Sequence, residues 1–150
     1  MGSTVKLAND LYLETSSIVH KQGSQITPLD TYLDTIVESG SNSNGEYTKY
    51  SDGTMICSKR IIQKNVKLTN SWYTLFINEN DTVVDLGNYA ATFIEKPVVN
   101  ITYMGGNGCW LINNNGYSTS SPGKVQLCTV SSRTIGNCIL DITAKGRWKK

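Results

Sequence analysis

Between Cys109 and Ser118 the chain sets two polar-tipped aromatic rings around a run of amides: Trp110, then Asn113, Asn114 and Asn115, then Gly116 and Tyr117. A flat ring lying on the apolar face of a pyranose, with amides bonding the hydroxyls, is the chemistry of saccharide binding. Rings of this kind suit a half-wet surface. The same pattern also fits Trp110 in a core and Tyr117 packed in a loop, so the segment is a candidate and not an assignment.

Bond-breaking chemistry finds fewer residues. Glycoside hydrolysis needs two carboxylates across the scissile bond, one of them kept protonated. Glu79, Asp81 and Asp85 form the one local acidic cluster beyond residue 45, and Asn78 to Asp81 reads equally as a hairpin loop. The sole histidine is His20, near the N-terminus, and no G-x-S-x-G turn exists, so nucleophilic triads find no support. Cys57, Cys109, Cys128 and Cys138 have neither CxxC spacing nor nearby histidines. They read as small buried hydrophobes with reduced thiols and not as zinc ligands. The expectation is no catalytic residue, no metal and no cofactor. Gly105, Gly106 and Gly108 lack the following helix that would present amides to a phosphate.

These residues need elements to hold them. Apolar residues two apart flank Asn9-Asp10, which predicts a small N-terminal hairpin over 5–14. Thr27 as N-cap, Pro28 at the first helical position and Asp30 in the first turn predict a short helix whose stripe is Leu29, Leu33, Ile36 and Val37. Such a helix is marginal alone and needs covering, by the hairpin or by copies of itself. Ser39 to Gly45 reads as a linker, which divides the chain into 1–44 and 45–150.

After the linker the period becomes two. Strands are predicted at 46–50, 54–63, 72–77, 82–86, 91–94, 98–104, 109–113, 124–131 and 138–147, with turns at 78–81, 105–108, 113–116, 120–123 and 136–137. Many short strands at close spacing mean an all-β antiparallel sandwich or barrel. Along 124–130 both faces are partly apolar: Val125, Leu127 and Thr129 on one, Gln126, Cys128 and Val130 on the other. One way to cover the second face is a neighbouring protomer. Trp72 and Tyr73 alternate, so at most one faces a given core.

Composition narrows the partners. A chain of 150 residues allows one domain or a small domain with an appendage. The formal charge of +2 is far from the basic excess of nucleic-acid binders, and no apolar run is long enough to cross a bilayer. The local cluster Lys59, Arg60, Lys64 and Lys67 reads as a solvated strand face.

Two strings carry a resemblance. Residues 44–57 (NGEYTKYSDGTMIC) place an aromatic strand, an Asp52-Gly53 turn and an apolar return strand, and the chain closes on Ala144-Lys145-Gly146-Arg147-Trp148. Phe93 to Val99 adds a Phe-x-x-x-Pro-hydrophobic strand. Over roughly residues 44 to 150 this resembles the C-terminal head domain of bacteriophage tail fibres and tail receptor-binding proteins. The resemblance implies a β head after a trimeric neck, adhesion to a host-surface saccharide without catalysis, and other tail or baseplate proteins as partners. It also implies a place in the virion after assembly in the bacterial cytoplasm. A tail-associated polysaccharide hydrolase using Glu79, Asp81 or Asp85, and a purely structural tail tip, are the alternatives.

Overall fold

The computed structural model describes residues 19–22, 25–28, 35–78, 83–105 and 108–150, and the chain divides into two units, 1–35 and 36–150. In the first unit β1 (Val19–Gln22) and β2 (Gln25–Pro28) form an antiparallel hairpin, with Val19 opposite Pro28 and Gln22 opposite Gln25. The predicted hairpin over 5–14 lies outside the described residues.

The second unit holds β3 (Ile36–Asn42), β4 (Gly45–Tyr50), β5 (Thr54–Trp72), β6 (Leu75–Asn78), β7 (Val84–Asp85), β8 (Val98–Tyr103), β9 (Cys109–Asn115), β10 (Lys124–Thr129) and β11 (Arg133–Arg147). All nine belong to one antiparallel sheet that does not close into a barrel. The all-β antiparallel architecture is as the periodicity predicts. The short helix is not: its start, Thr27-Pro28, lies in β2 and its end, Ile36-Val37, in β3. Residues 29–34 lie outside the described ones, and no helix occurs among those described. The predicted linker is also a strand. Residues 36–42 pair with β4, and the turn is confined to Ser43-Asn44, where Asn42 Oδ1 accepts the Asn44 N–H at 2.8 Å.

The frame is the long ribbon of β5 against β11, in register from Thr54 opposite Arg147 to Leu68 opposite Arg133. Leu68 also faces Asn78, so β6 lies on the edge of β5 away from β11 and carries β10, with β9 beyond it. The sheet thereby folds over itself. Val66, Leu68, Ile135, Cys138, Leu140 and Ile142 from the ribbon meet Val84, Leu86, Val125 and Leu127 in one buried core. The second core sets Met55, Cys57 and Ala144 against Tyr89 and Phe93. The last two come from the stretch 86–97, where the predicted strand 91–94 is an irregular strap held by Phe93 N–H to Thr119 O and Ile94 N–H to Arg147 O, both 2.9 Å.

Two features of β5 escaped the sequence reading. Buried positions run 55 and 57 before residue 65 but 66 and 68 after it; on β11 they run 138, 140, 142 and 144 but 135 on the other side. Asn65 makes this switch with a left-handed φ of 55°, opposite Gly136. Because both strands change parity at one level, the ribbon bends without losing register. Gly136-Asn137 is therefore a kink within β11 and not a turn. The second feature is the β5–β6 connection, two residues long, with Tyr73 at φ 54°. A non-glycine residue in that region costs about 1–2 kcal/mol.

Asn78, expected in a loop, is fully buried at the end of β6. Its Oδ1 accepts the Leu127 N–H at 2.9 Å, beside the register shift between Gln126 and Leu127 that disturbs the ladder to β9. A buried donor left unpaired there would be destabilising, and the amide prevents it.

Candidate functional site

The two strings that carry the family resemblance meet in space. Register brings Thr54 opposite Arg147 and Met55 opposite Gly146. Trp148 donates its backbone N–H to Gly53 O and its indole N–H to Tyr50 O, each at 3.0 Å. Gly53 has φ 89°, and a Cβ there would come within 2.9 Å of the Arg147 guanidinium. A Cβ on Gly146 would lie 2.9 Å from Phe93 and 3.0 Å from Pro97. Each glycine thus serves the closure. Tyr47 and Lys49 converge on Glu38 at 2.6 and 2.8 Å, and Lys49 also lies over the Tyr47 and Trp148 rings. The Lys49 and Tyr47 hydrogen bonds hold the Glu38 carboxyl below its ordinary value. This clasp is structural.

Strand β9 places the predicted sugar-binding residues. Trp110 and Tyr117 are each 42% exposed, so neither is core. Cys109 and Leu111 pack on the core, which turns Trp110 to the other face. Asn113, Asn114 and Asn115 belong to β9, opposite Gln126, Val125 and Lys124, and do not form the expected turn. Trp110 stands near one end of the strand and Tyr117 past the other, roughly 20 Å apart along the chain. The rings therefore bracket the amide-bearing strand without sharing one pocket. Tyr117 is further engaged by Lys96, whose Nζ lies 4.9 Å from its ring centroid.

The expected protomer-facing side of β10 is largely covered within the chain. Cys128 is fully buried, and of the apolar residues on that side Val130 is the one left exposed, at 64%. None of the four cysteines forms a disulfide; three are buried and Cys109 is half-buried, as small hydrophobes would be.

Of the acidic cluster, Glu79 and Asp81 lie outside the described residues. Asp85 closes β7, where the Gly87 N–H at 2.8 Å is the main cause that holds its carboxyl below the ordinary range. A general acid needs the opposite shift. Asp85 also borders an open groove of about 850 Å³ that no motif announced. Its walls are the β3–β4 turn, the β5 edge at residues 58–61, residues 85–87 and residues 141–143. Arg60 and Asp141 cross it in a two-point pair at 2.6 and 2.7 Å. Lys59 is spent on the carbonyls of Leu86 and Asn88, and burial pulls its ammonium below the ordinary value. Pairing between residues 81 apart leaves no local signal, which is why the groove was not legible in the sequence.

Among the described residues no group of three metal-ligating side chains converges, and no helix is long and apolar enough to cross a membrane. No family model, curated protein or solved structure matches the chain.

Proposed function

We propose that this chain is the receptor-binding head of a bacteriophage tail fibre, and that it adheres to a saccharide on the host surface without catalysis. The observation that carries the reading is the exposure of Trp110 on β9 and of Tyr117 two residues past its end. Rings spent on a core would be buried, whereas exposed aromatics beside amides and hydroxyls are what a pyranose requires. The all-β frame supports it as a rigid mount, and the clasp of residues 47–57 by 144–148 gives the family-like strings a shared structural task. The lowered carboxyl at Asp85 does not suit the general acid that the hydrolase alternative needs.

Single sugar sites bind weakly, so several must engage together. The proposal therefore includes a homotrimer docked to other tail or baseplate proteins. Ile36, Val37, Ile62, Val98 and Val130 are among the exposed apolar residues that assembly would cover. Light scattering at micromolar concentration gives a mass of about three chains if this holds; monomer alone rejects it. For adhesion the test is a glycan array. Binding that falls when Trp110 or Tyr117 becomes alanine supports the site, and undiminished binding removes it.

A further inference from the structure

Strand pairing puts a second tryptophan on the face that Trp110 occupies. Trp72 is opposite Leu75; Leu75 and Ile77 are two apart on β6; Ile77 is opposite Cys128; and Cys128 is opposite Trp110. Directly opposed residues in an antiparallel pair share a face, and so do residues two apart. Trp72, Leu75, Ile77, Cys128 and Trp110 therefore share the face away from the Val125–Leu127 core, with Cys128 fully buried and Leu75 and Ile77 half-buried between the exposed indoles. The row ends in the two indoles, 46% and 42% exposed; three strand spacings across and a two-residue step along β6 separate them by about 16 Å.

At the Trp72 end stands Tyr73. It is 91% exposed, the most exposed of the large hydrophobic residues. It sits in a left-handed conformation that glycine adopts freely, and its ring meets Trp72 edge-on at 5.8 Å and 68°. A two-residue hairpin connection calls for a positive φ at a central residue, so the turn sets this backbone conformation while leaving the ring in solvent. Asn70, Ser71 and Thr74 around it are exposed as well, and no charged residue occurs from Leu68 to Asn78. Rings ringed by hydroxyls and an amide, without charge, match a neutral saccharide.

We propose that the β5–β6 hairpin tip, through Trp72 and Tyr73, is a saccharide-stacking element, and that the glycan runs across the strands from Trp110 to Trp72. This rests on the adhesion reading and changes its direction: across β10, not along β9 to Tyr117.

The test uses the full chain, labelled with 15N, and the methyl glycosides of linear tetrasaccharides of glucose, galactose, mannose, rhamnose and N-acetylglucosamine as probes, because a single pyranose cannot span both indoles. The chain has three tryptophans, hence three indole N–H signals, which Trp72→Phe and Trp110→Phe assign. At least one glycoside is expected to move the Trp72 and Trp110 signals together and to leave Trp148, bonded to Tyr50 O, in place. Movement of Trp110 alone keeps the adhesion reading and overturns this extension; movement of neither overturns the extension outright.

A second measurement separates binding from folding. Tyr73→Gly removes both ring and strain, so its melting temperature is expected to rise by about 2–4 °C while affinity for the responding glycoside falls about fivefold or more. Tyr73→Asn, also tolerant of the left-handed region, is expected to follow it. Unchanged affinity in both variants overturns the proposal. So does a change of oligomeric mass without a change of affinity, which assigns the tip to a second copy of the chain.

Discussion

Tyr89 shows how a buried side chain weakens the fold at alkaline pH. Its ring packs edge-on to Phe93 at 5.2 Å, and among the described residues its hydroxyl has no hydrogen-bond partner. Burial pushes the phenol up from 10.0 to about 12, and in the other core it pushes the Cys138 thiol from 9.0 to about 11. Both groups are neutral when protonated, and the unfolded chain gives up those protons first. Their contribution is whole below about pH 9 and is lost as pH climbs through 9–12. Urea midpoints should be level from pH 7 to pH 9 and fall beyond it. A midpoint unchanged at pH 11 would contradict the burial of both groups. Individual residues were the most legible level. Gly53 and Gly146 were visible as motif letters, and the reduced cysteines were read correctly. What could not be read was the partner of each letter, such as Glu38 beneath Tyr47 and Lys49.

At the scale of elements, the chain misled where local chemistry and distant pairing disagreed. Thr27-Pro28 followed by a stripe at 29, 33, 36 and 37 is a sound helix signal, yet Ile36-Val37 belongs to a strand on β4, because edge pairing offers residues 36–42 hydrogen bonds that a marginal helix cannot match. Ser, Gly and Asn over 39–45 looked like a linker for the same reason: polar strands at a sheet edge carry no apolar anchor. The kink opposite Gly136 was equally hidden, since Gly136-Asn137 has the composition of a turn while its pairing partner is some 70 residues away in the chain. The kink makes a prediction of its own. Asn65 holds φ 55° with its side chain exposed, so Asn65→Gly should be neutral within about 0.5 kcal/mol, whereas Asn65→Val should cost about 1–2 kcal/mol. Equal stability of the two variants in urea unfolding would show that the ribbon does not bend there.

For the whole molecule, alternation and turn spacing were enough to predict an antiparallel all-β body, because those signals are local and repeated. The sheet order was not legible: it depends on one 19-residue strand serving two layers, and strand length across a kink leaves no mark in composition. The candidate site divides in the same way. Trp110 and Tyr117 were identifiable from residue type, but their separation along β9, and the return of Trp72 to the same face, follow from pairings across β10. A binding head needs exposed rings, and Trp72, Trp110 and Tyr117 are exposed on this all-β frame. Its central claim is adhesion without turnover. The most direct measurement is a glycan array with the folded protein, followed by chromatography of the bound glycan. The account predicts retention of one saccharide class, recovered intact; an array with no bound glycan, or recovery of shortened chains, would contradict it.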